Sequence, residues 1–252
     1  MKQAWLWAVA LLAAGCSAET RAEPPTDEST DQKIIGGTDD PNDPAVVAVY
    51  ARVPGAEKGA LCTGEVISPT VVLTAAHCIT EVDAGSVHHV IPGFKFKEVP
   101  ESEWLAVKEV HADPEFDAQN LPNGHDVGVL ILEQPTSITP LPFVRTPLPD
   151  STVGQNVRLV GYGLNDGFGQ TGAGIKREVT VPVNSMDDKV LETGTSSKKS
   201  CNGDSGGPAF LNIDGKETIV GVTSYGLIYC LGYGYYTRVD KYTSFIDQYL
   251  QQ

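Results

Sequence analysis

Thr218-Ile219-Val220-Gly221-Val222-Thr223-Ser224 is a run of β-branched and small residues, set off from the preceding segment by the turn pair Asp214-Gly215. Branched side chains fit a pleated, half-buried surface better than a helix, and the run has no polar face at helical spacing. The same texture recurs at 46–50, 65–67, 71–74, 127–132, 157–160, 179–183 and 235–239. Gly36-Gly37, Pro54-Gly55 and Pro122-Asn123-Gly124 punctuate these runs. Many short strands with such punctuation predict an all-β sandwich or barrel rather than a βαβ sheet. Only 242–250 places apolar residues (Tyr242, Phe245, Ile246, Tyr249, Leu250) at helical spacing. The pattern alone therefore predicts an all-β chain with a C-terminal helix.

Composition narrows the function classes. The 252 residues carry 18 basic and 32 acidic side chains, a formal charge of −14. A nucleic-acid-binding face needs a basic stripe to displace counterions, so no nucleic-acid partner is expected. With 41% apolar residues the chain can bury a core. The long apolar stretch, 4–14, is only 11 residues and too short to cross a bilayer. Lys2, that stretch and the small residues up to Cys16 have the layout of an export signal. Leu11-Leu12-Ala13-Ala14-Gly15-Cys16 resembles a lipobox, which makes 1–15 a lipoprotein-type signal peptide and Cys16 the lipidated residue. Ordinary signal-peptidase cleavage, for instance after Ala18, is the alternative. The expected location is the outer membrane or periplasm of a bacterium, or the exterior after secretion, where disulfides are allowed. Residues 16–33 read as a disordered tether or pro-segment: past Cys16 the apolar side chains are Ala18 and Ala22, beside Pro24-Pro25 and five acids. The composition changes abruptly at Ile34-Ile35-Gly36-Gly37, so 34–252 is read as one folded domain.

Five cysteines are an odd number for an exported chain. With Cys16 lipidated, Cys62, Cys78, Cys201 and Cys230 remain, and three pairings are open. Pairing sequence neighbours closes short loops, each worth about 3–4 kcal/mol in the chain-entropy account. No Cys-x-x-Cys or His-Glu-x-x-His is present, so no metal site is expected.

Three segments carry chemistry. Leu73-Thr74-Ala75-Ala76-His77-Cys78 runs a strand into a histidine; His125-Asp126-Val127-Gly128-Val129-Leu130 places an acid at the entrance to an apolar strand; Cys201-Asn202-Gly203-Asp204-Ser205-Gly206-Gly207-Pro208 sets a serine in a glycine-rich turn. A serine hydroxyl is a poor nucleophile until a base removes its proton, and histidine suits that task near neutral pH. A buried carboxylate fixes the imidazole tautomer and stabilises the imidazolium. Small residues beside Ser205 let backbone N–H groups reach an oxyanion.

With these motifs, and with Ser224-Tyr225-Gly226 and Tyr236-Thr237-Arg238-Val239, the chain from Ile34 to about Leu250 resembles the trypsin/chymotrypsin-like serine proteases. The resemblance implies two six-stranded antiparallel β-barrels with the active site between them, and no cofactor. It makes His77 the general base, Asp126 its orienting acid and Ser205 the nucleophile, with oxyanion donors from Gly203 and Ser205. Ser224, Tyr225 and Gly226 would pair with substrate backbone as an added strand. The family pairings are Cys62–Cys78 and Cys201–Cys230. The resemblance also implies a zymogen: cleavage after Lys33 by an activating protease frees the Ile34 amine, which pairs with Asp204. Protein or peptide substrates and a monomeric enzyme are expected.

The sixth residue before the nucleophile lies at the bottom of the specificity pocket in this family, and here it is Lys199, followed by Ser200. Gly226 and Gly234 match the small wall residues. A cation there predicts cleavage after Glu or Asp; a lysine that swings out to solvent instead predicts cleavage after apolar residues. Arg/Lys specificity is disfavoured by repulsion. Tyr162 and Tyr225 stand where the family usually has tryptophan. Gly167-Phe168-Gly169-Gln170-Thr171-Gly172 matches a dinucleotide fingerprint, but 175–183 reads as strand rather than helix, so the segment is taken as a mobile loop. His88, His89 and His111 are read as surface-loop residues without a catalytic role. The rival reading is a catalytically silent homologue acting as a binding module.

Overall fold

In the computed structural model, residues 34–250 are described. The signal-peptide, tether and lipidation readings, with Cys16 and Lys33, lie outside them. Among these residues, thirteen strands, two short α-helices and six 3-10 turns make up the regular structure. The strands are β1 Thr38–Asp39, β2 Val46–Arg52, β3 Ala60–Ser68, β4 Val71–Thr74, β5 Val87–Ile91, β6 Leu105–Ala112, β7 Gly128–Leu132, β8 Asn156–Gly161, β9 Arg177–Met186, β10 Val190–Thr193, β11 Pro208–Ile213, β12 Lys216–Gly226 and β13 Gly234–Arg238. The helices are α1 His77–Thr80 and α2 Thr243–Asp247. The first barrel closes in the order β2-β3-β4-β7-β6-β5. The second runs β9-β10-β13-β12-β11-β8 and closes because β8 pairs with β9, with β1 added beside β9. All pairings between these strands are antiparallel. The mostly-β, two-barrel expectation is met.

Apolar continuity explains which strands were legible. β7, Gly-Val-Leu-Ile-Leu, is buried along its whole length, as are the four residues of β4. Each large aliphatic side chain so enclosed contributes about 1.5–3 kcal/mol. The opposite case is β5 and β6, which carry His88, His89 and His111. The surface-loop reading of these histidines is corrected: they sit in barrel strands, where burial holds the His88 and His89 imidazoles below the usual histidine range. His89 packs edge-on to Trp104, and the His111 ring stacks on Tyr249 at 4.4 Å. The terminal helix is also shorter than its apolar pattern, covering Thr243–Asp247 after a 3-10 turn at Val239–Lys241.

Two side chains seal the barrels against each other. Tyr162, fully buried on the second barrel, donates its hydroxyl to the Val46 and Gly93 carbonyls of the first half. Thr63 on β3 accepts the Tyr162 N–H at 3.1 Å and donates its own hydroxyl to the Gly203 carbonyl at 2.9 Å. The tyrosine, smaller than the usual tryptophan, thus supplies a polar tip that the seam uses.

Glu65 is an anomaly in this core. It is 0% exposed, faces Val46 and Leu73 in register, and among the described residues neither carboxylate oxygen has a hydrogen-bond partner. Burial pushes its carboxyl well above the ordinary range. The unfolded chain ionises this group near pH ~4.3 while the folded chain retains the proton, so stability falls as pH rises from there, by about 1.4 kcal/mol per pH unit until the folded group ionises. Glu65→Met is therefore expected to raise Tm at pH 8 and to change it little at pH 4. Equal shifts at the two pH values, measured by calorimetry, would refute the linkage.

Candidate active site

β4 delivers the first element. Its apolar run Val71–Thr74 continues through buried Ala75 and Ala76 into the single turn α1, which begins at His77. The Thr80 hydroxyl back-bonds to the Ala76 carbonyl at 3.0 Å, and Cys78 is disulfide-bonded to Cys62 on β3. His77 is thereby tied to two adjacent strands of the first barrel. Asp126 stands two residues before β7, the neighbour of β4, and is 0% exposed. Its Oδ1 accepts the His77 backbone N–H at 2.9 Å, and its Oδ2 lies 2.7 Å from His77 Nδ1. An ionised carboxylate only accepts, so Nδ1 carries the proton and Nε2 is left with a lone pair.

A third contact to Asp126 comes from the second barrel. Ser224 Oγ donates to Oδ2 at 2.5 Å. Ser224 falls where the β12–β13 register shifts between Thr223 and Tyr225, and such a bulge re-aims the extra side chain. Sequence reasoning assigned Ser224 to substrate backbone only; the bulge that turns it on Asp126 depends on strand register, which no local motif reports.

Ser205 sits in the turn before β11. Its carbonyl accepts the Thr63 N–H at 2.8 Å. Gly206 has φ 81°, and a Cβ there would come within 2.1 Å of Thr74 Oγ1 and 2.3 Å of the Thr63 carbonyl oxygen. Only glycine lets the serine turn lie this close to the strand that leads into His77. Among the described residues no hydrogen bond joins Ser205 Oγ to His77. Thr63 on β3 bonds the Ser205 turn, and Ser224 on β12 bonds the Asp126 carboxylate that holds His77. Catalytic hydrogen bonds that tighten only with substrate are ordinary in free enzymes. The N–H groups of Gly203 and Ser205 have no acceptor among the described residues, whereas those of Asp204, Gly206 and Gly207 are bonded within the fold.

Asp204 is 2% exposed and accepts the Gly163 and Cys201 N–H groups at 2.8 and 2.7 Å. Burial pushes its carboxyl up to about 7 against these lowering contacts and the nearby Arg177. Ile34 is buried as well, and the Ile35 carbonyl accepts the Lys199 N–H at 3.1 Å. The start of the domain is thus docked beside the floor of the cleft.

A cavity of about 210 Å³ opens beside Ser205, lined among others by Lys199, Ser200, Tyr225, Gly226 and Tyr233. Gly234 backs the pocket rather than lining it: a Cβ there would press within 2.5 Å of Ser200 Oγ. Lys199 is 5% exposed; its Nζ donates to the Ser196 carbonyl at 2.8 Å, and burial lowers its pKa. No carboxylate among the described residues pairs with it. The Cys201–Cys230 disulfide ties the serine-bearing loop to the opposite wall. The outer rim is apolar and exposed at Leu227, Ile228 and Tyr229, with Phe168 stacked on Tyr229 at 5.4 Å. Sequence reasoning missed these rim residues and Thr63. Cys62, His77 and Cys78 also cluster, but the two sulfurs are committed to their disulfide.

A carboxylate-bound imidazole, a serine turn with two N–H groups unbonded among the described residues and a side pocket, set where two β-barrels meet, define a serine-protease-like architecture. The chain belongs to the trypsin family, whose model, described as Trypsin, matches residues 34–246. It is 30% identical to Brachyurin of Leptuca pugilator, across 74% of this chain and 84% of that one. It is 26% identical to Phenoloxidase-activating factor 3 of Holotrichia diomphalia, across 86% of this chain and 72% of that one. Family membership supports a protease acting on protein substrates.

Proposed function

We propose that the protein is a serine endopeptidase, exported and made as a zymogen, that cleaves after acidic residues. The observation that carries the catalytic reading is the buried Asp126 carboxylate holding both the His77 backbone and Nδ1. In this mechanism His77 Nε2 takes the Ser205 hydroxyl proton as Oγ attacks the scissile carbonyl. The Gly203 and Ser205 N–H groups receive the oxyanion, each worth about 3–4 kcal/mol. The imidazolium, stabilised by Asp126, then protonates the leaving amine, and an acyl-enzyme remains on Ser205. Water, deprotonated by His77, releases the acid product.

Activation follows from the solvation of Asp204. A carboxylate buried with two backbone donors and no hydrogen-bonded cation among the described residues is costly, and an α-amine freed at Ile34 supplies the missing charge. That ion pair would fix the turn carrying the oxyanion donors. Cleavage after Lys33 would also separate the protease from any lipid on Cys16, which fractionation before and after activation reads directly. A fluorophosphonate probe tests the whole scheme. Ser205 is expected to label after cleavage before Ile34 and at least about a hundredfold more slowly before it, in line with loss of an oxyanion donor. A cleaved chain, with Ile34 confirmed by N-terminal sequencing, that never labels would favour the silent-homologue reading.

For specificity, the Lys199 ammonium is enclosed, makes one hydrogen bond and has no carboxylate partner among the described residues, which supports an acidic side chain in the pocket. The Ser196 contact favours the second reading, in which Lys199 stays tied back and the pocket takes apolar residues.

A further inference from the structure

Immediately before the triad acid stands a histidine that this mechanism does not use. His125 is buried and has a left-handed backbone, φ 66°. Its N–H donates to the Tyr242 hydroxyl at 2.7 Å, and its ring lies edge-on to the Tyr242 ring at 5.3 Å. The ring bridges the two halves of the cleft. Nδ1 lies 3.0 Å from Asp113 Oδ1, in the segment after β6, and Nε2 lies 2.9 Å from Lys189 Nζ, in the turn joining β9 and β10. Glu115 Oε2 waits 3.7 Å from the same Nε2. Near Tyr242, Asp188 pairs with Lys241 at 2.6 Å and also attracts the Arg238 and Lys189 charges. The strap is tight: a Cβ on Gly124 would meet Lys189 Cβ at 2.8 Å and the Tyr242 hydroxyl at 2.9 Å.

Partner chemistry fixes the proton. An ammonium has only donors, so Nε2 accepts; an ionised Asp113 has only acceptors, so Nδ1 donates. The ring in this arrangement is neutral. A proton on Nε2 would set N–H against the Lys189 ammonium, and Glu115 becomes the acceptor within reach. We propose that His125 is a positioning residue for Asp126 and a proton-operated toggle: neutral, it latches Lys189 across the barrels; protonated, it drops Lys189 and turns to Glu115. Asp126 is the next residue in the chain, so the toggle moves the carboxylate that holds His77.

The kinetic arm rests on the protease reading; a spectroscopic arm does not. Imidazole ¹⁵N shifts of the full chain are expected to give His125 protonated on Nδ1 and bare on Nε2 at pH 8. Glu115→Gln should move the His125 titration to lower pH, and Lys189→Met to higher pH. The opposite tautomer, or a titration unmoved by both variants, overturns the toggle even if no peptide is ever cleaved. In kinetics, His125→Ala should lower kcat about tenfold or more at pH 8 with KM unchanged, the scale expected of a misplaced catalytic group. His125→Gln, whose amide offers one donor and one acceptor but does not titrate, should restore most of kcat. It should also turn a two-proton acid limb of kcat/KM into a one-proton limb. Superimposable acid limbs for wild type and His125→Gln, or a wild-type kcat in His125→Ala, overturn the positioning role.

Discussion

Replacement of Asp126 by asparagine is expected to lower kcat for peptide hydrolysis by about ten-thousandfold while leaving KM and the fold nearly intact. The size of the loss follows from three contacts converging on one carboxylate. His77 reaches it through both its backbone N–H and Nδ1, and Ser224 approaches Oδ2 at 2.5 Å. An asparagine amide can turn its NH₂ toward Nδ1, which forces the proton to Nε2 and removes the base from the serine. It also removes the charge that stabilises the imidazolium. Ser205→Ala is expected to cost about a millionfold, and the double variant no more than Ser205→Ala alone, because the groups act as one unit. Steady-state rates on a peptide substrate, with active enzyme counted by phosphonate titration of wild type, read all three. Hydrolysis within tenfold of wild type in Ser205→Ala would end the acyl-enzyme assignment.

The second large effect is expected at the pocket floor. Wild type should cleave after Glu and Asp in preference to Leu or Arg, and Lys199→Asp should reverse this, with Arg and Lys now preferred. Like charges brought together in a closed site cost several kcal/mol, so the ratio of kcat/KM for acidic over basic substrates should change by roughly a thousandfold or more. Burial lowers the Lys199 pKa, and a substrate carboxylate in the pocket would stabilise its charged form. The preference for acidic residues should therefore fade as alkaline pH deprotonates Lys199, while any cleavage after apolar residues does not follow that limb. Peptide libraries varied at the residue before the scissile bond, compared between the two proteins, decide it. A wild-type preference for apolar residues that survives Lys199→Asp would instead show the lysine tied back to Ser196.

Much of this architecture could be read from the chain, and the parts that could not share a cause. β4, β7 and the middle of β12 announce themselves because both faces are buried and the residues are almost all apolar or β-branched. β5, Val-His-His-Val-Ile, and β6, with Lys108, Glu109 and His111 among its residues, do not, because polar and half-buried side chains interrupt their apolar runs. The His77, Asp126 and Ser205 segments were legible as local motifs. The long-range contacts these segments make, Thr63 on Ser205 and Ser224 on Asp126, span 142 and 98 residues of sequence and arise from register and a bulge. The role of His125 was hidden for the same reason, since Lys189 lies 64 positions away.

The two sulfur crosslinks adjoin the working parts of the site: one, packed at the margin of the first-barrel core, anchors the residue after the imidazole, and the other closes the pocket wall behind the nucleophile. A glutathione-rich compartment would therefore leave both parts slack even if the barrels held. If the chain is exported and processed as proposed, reduction before export would keep it harmless to its maker, a safeguard independent of the peptide bond before Ile34.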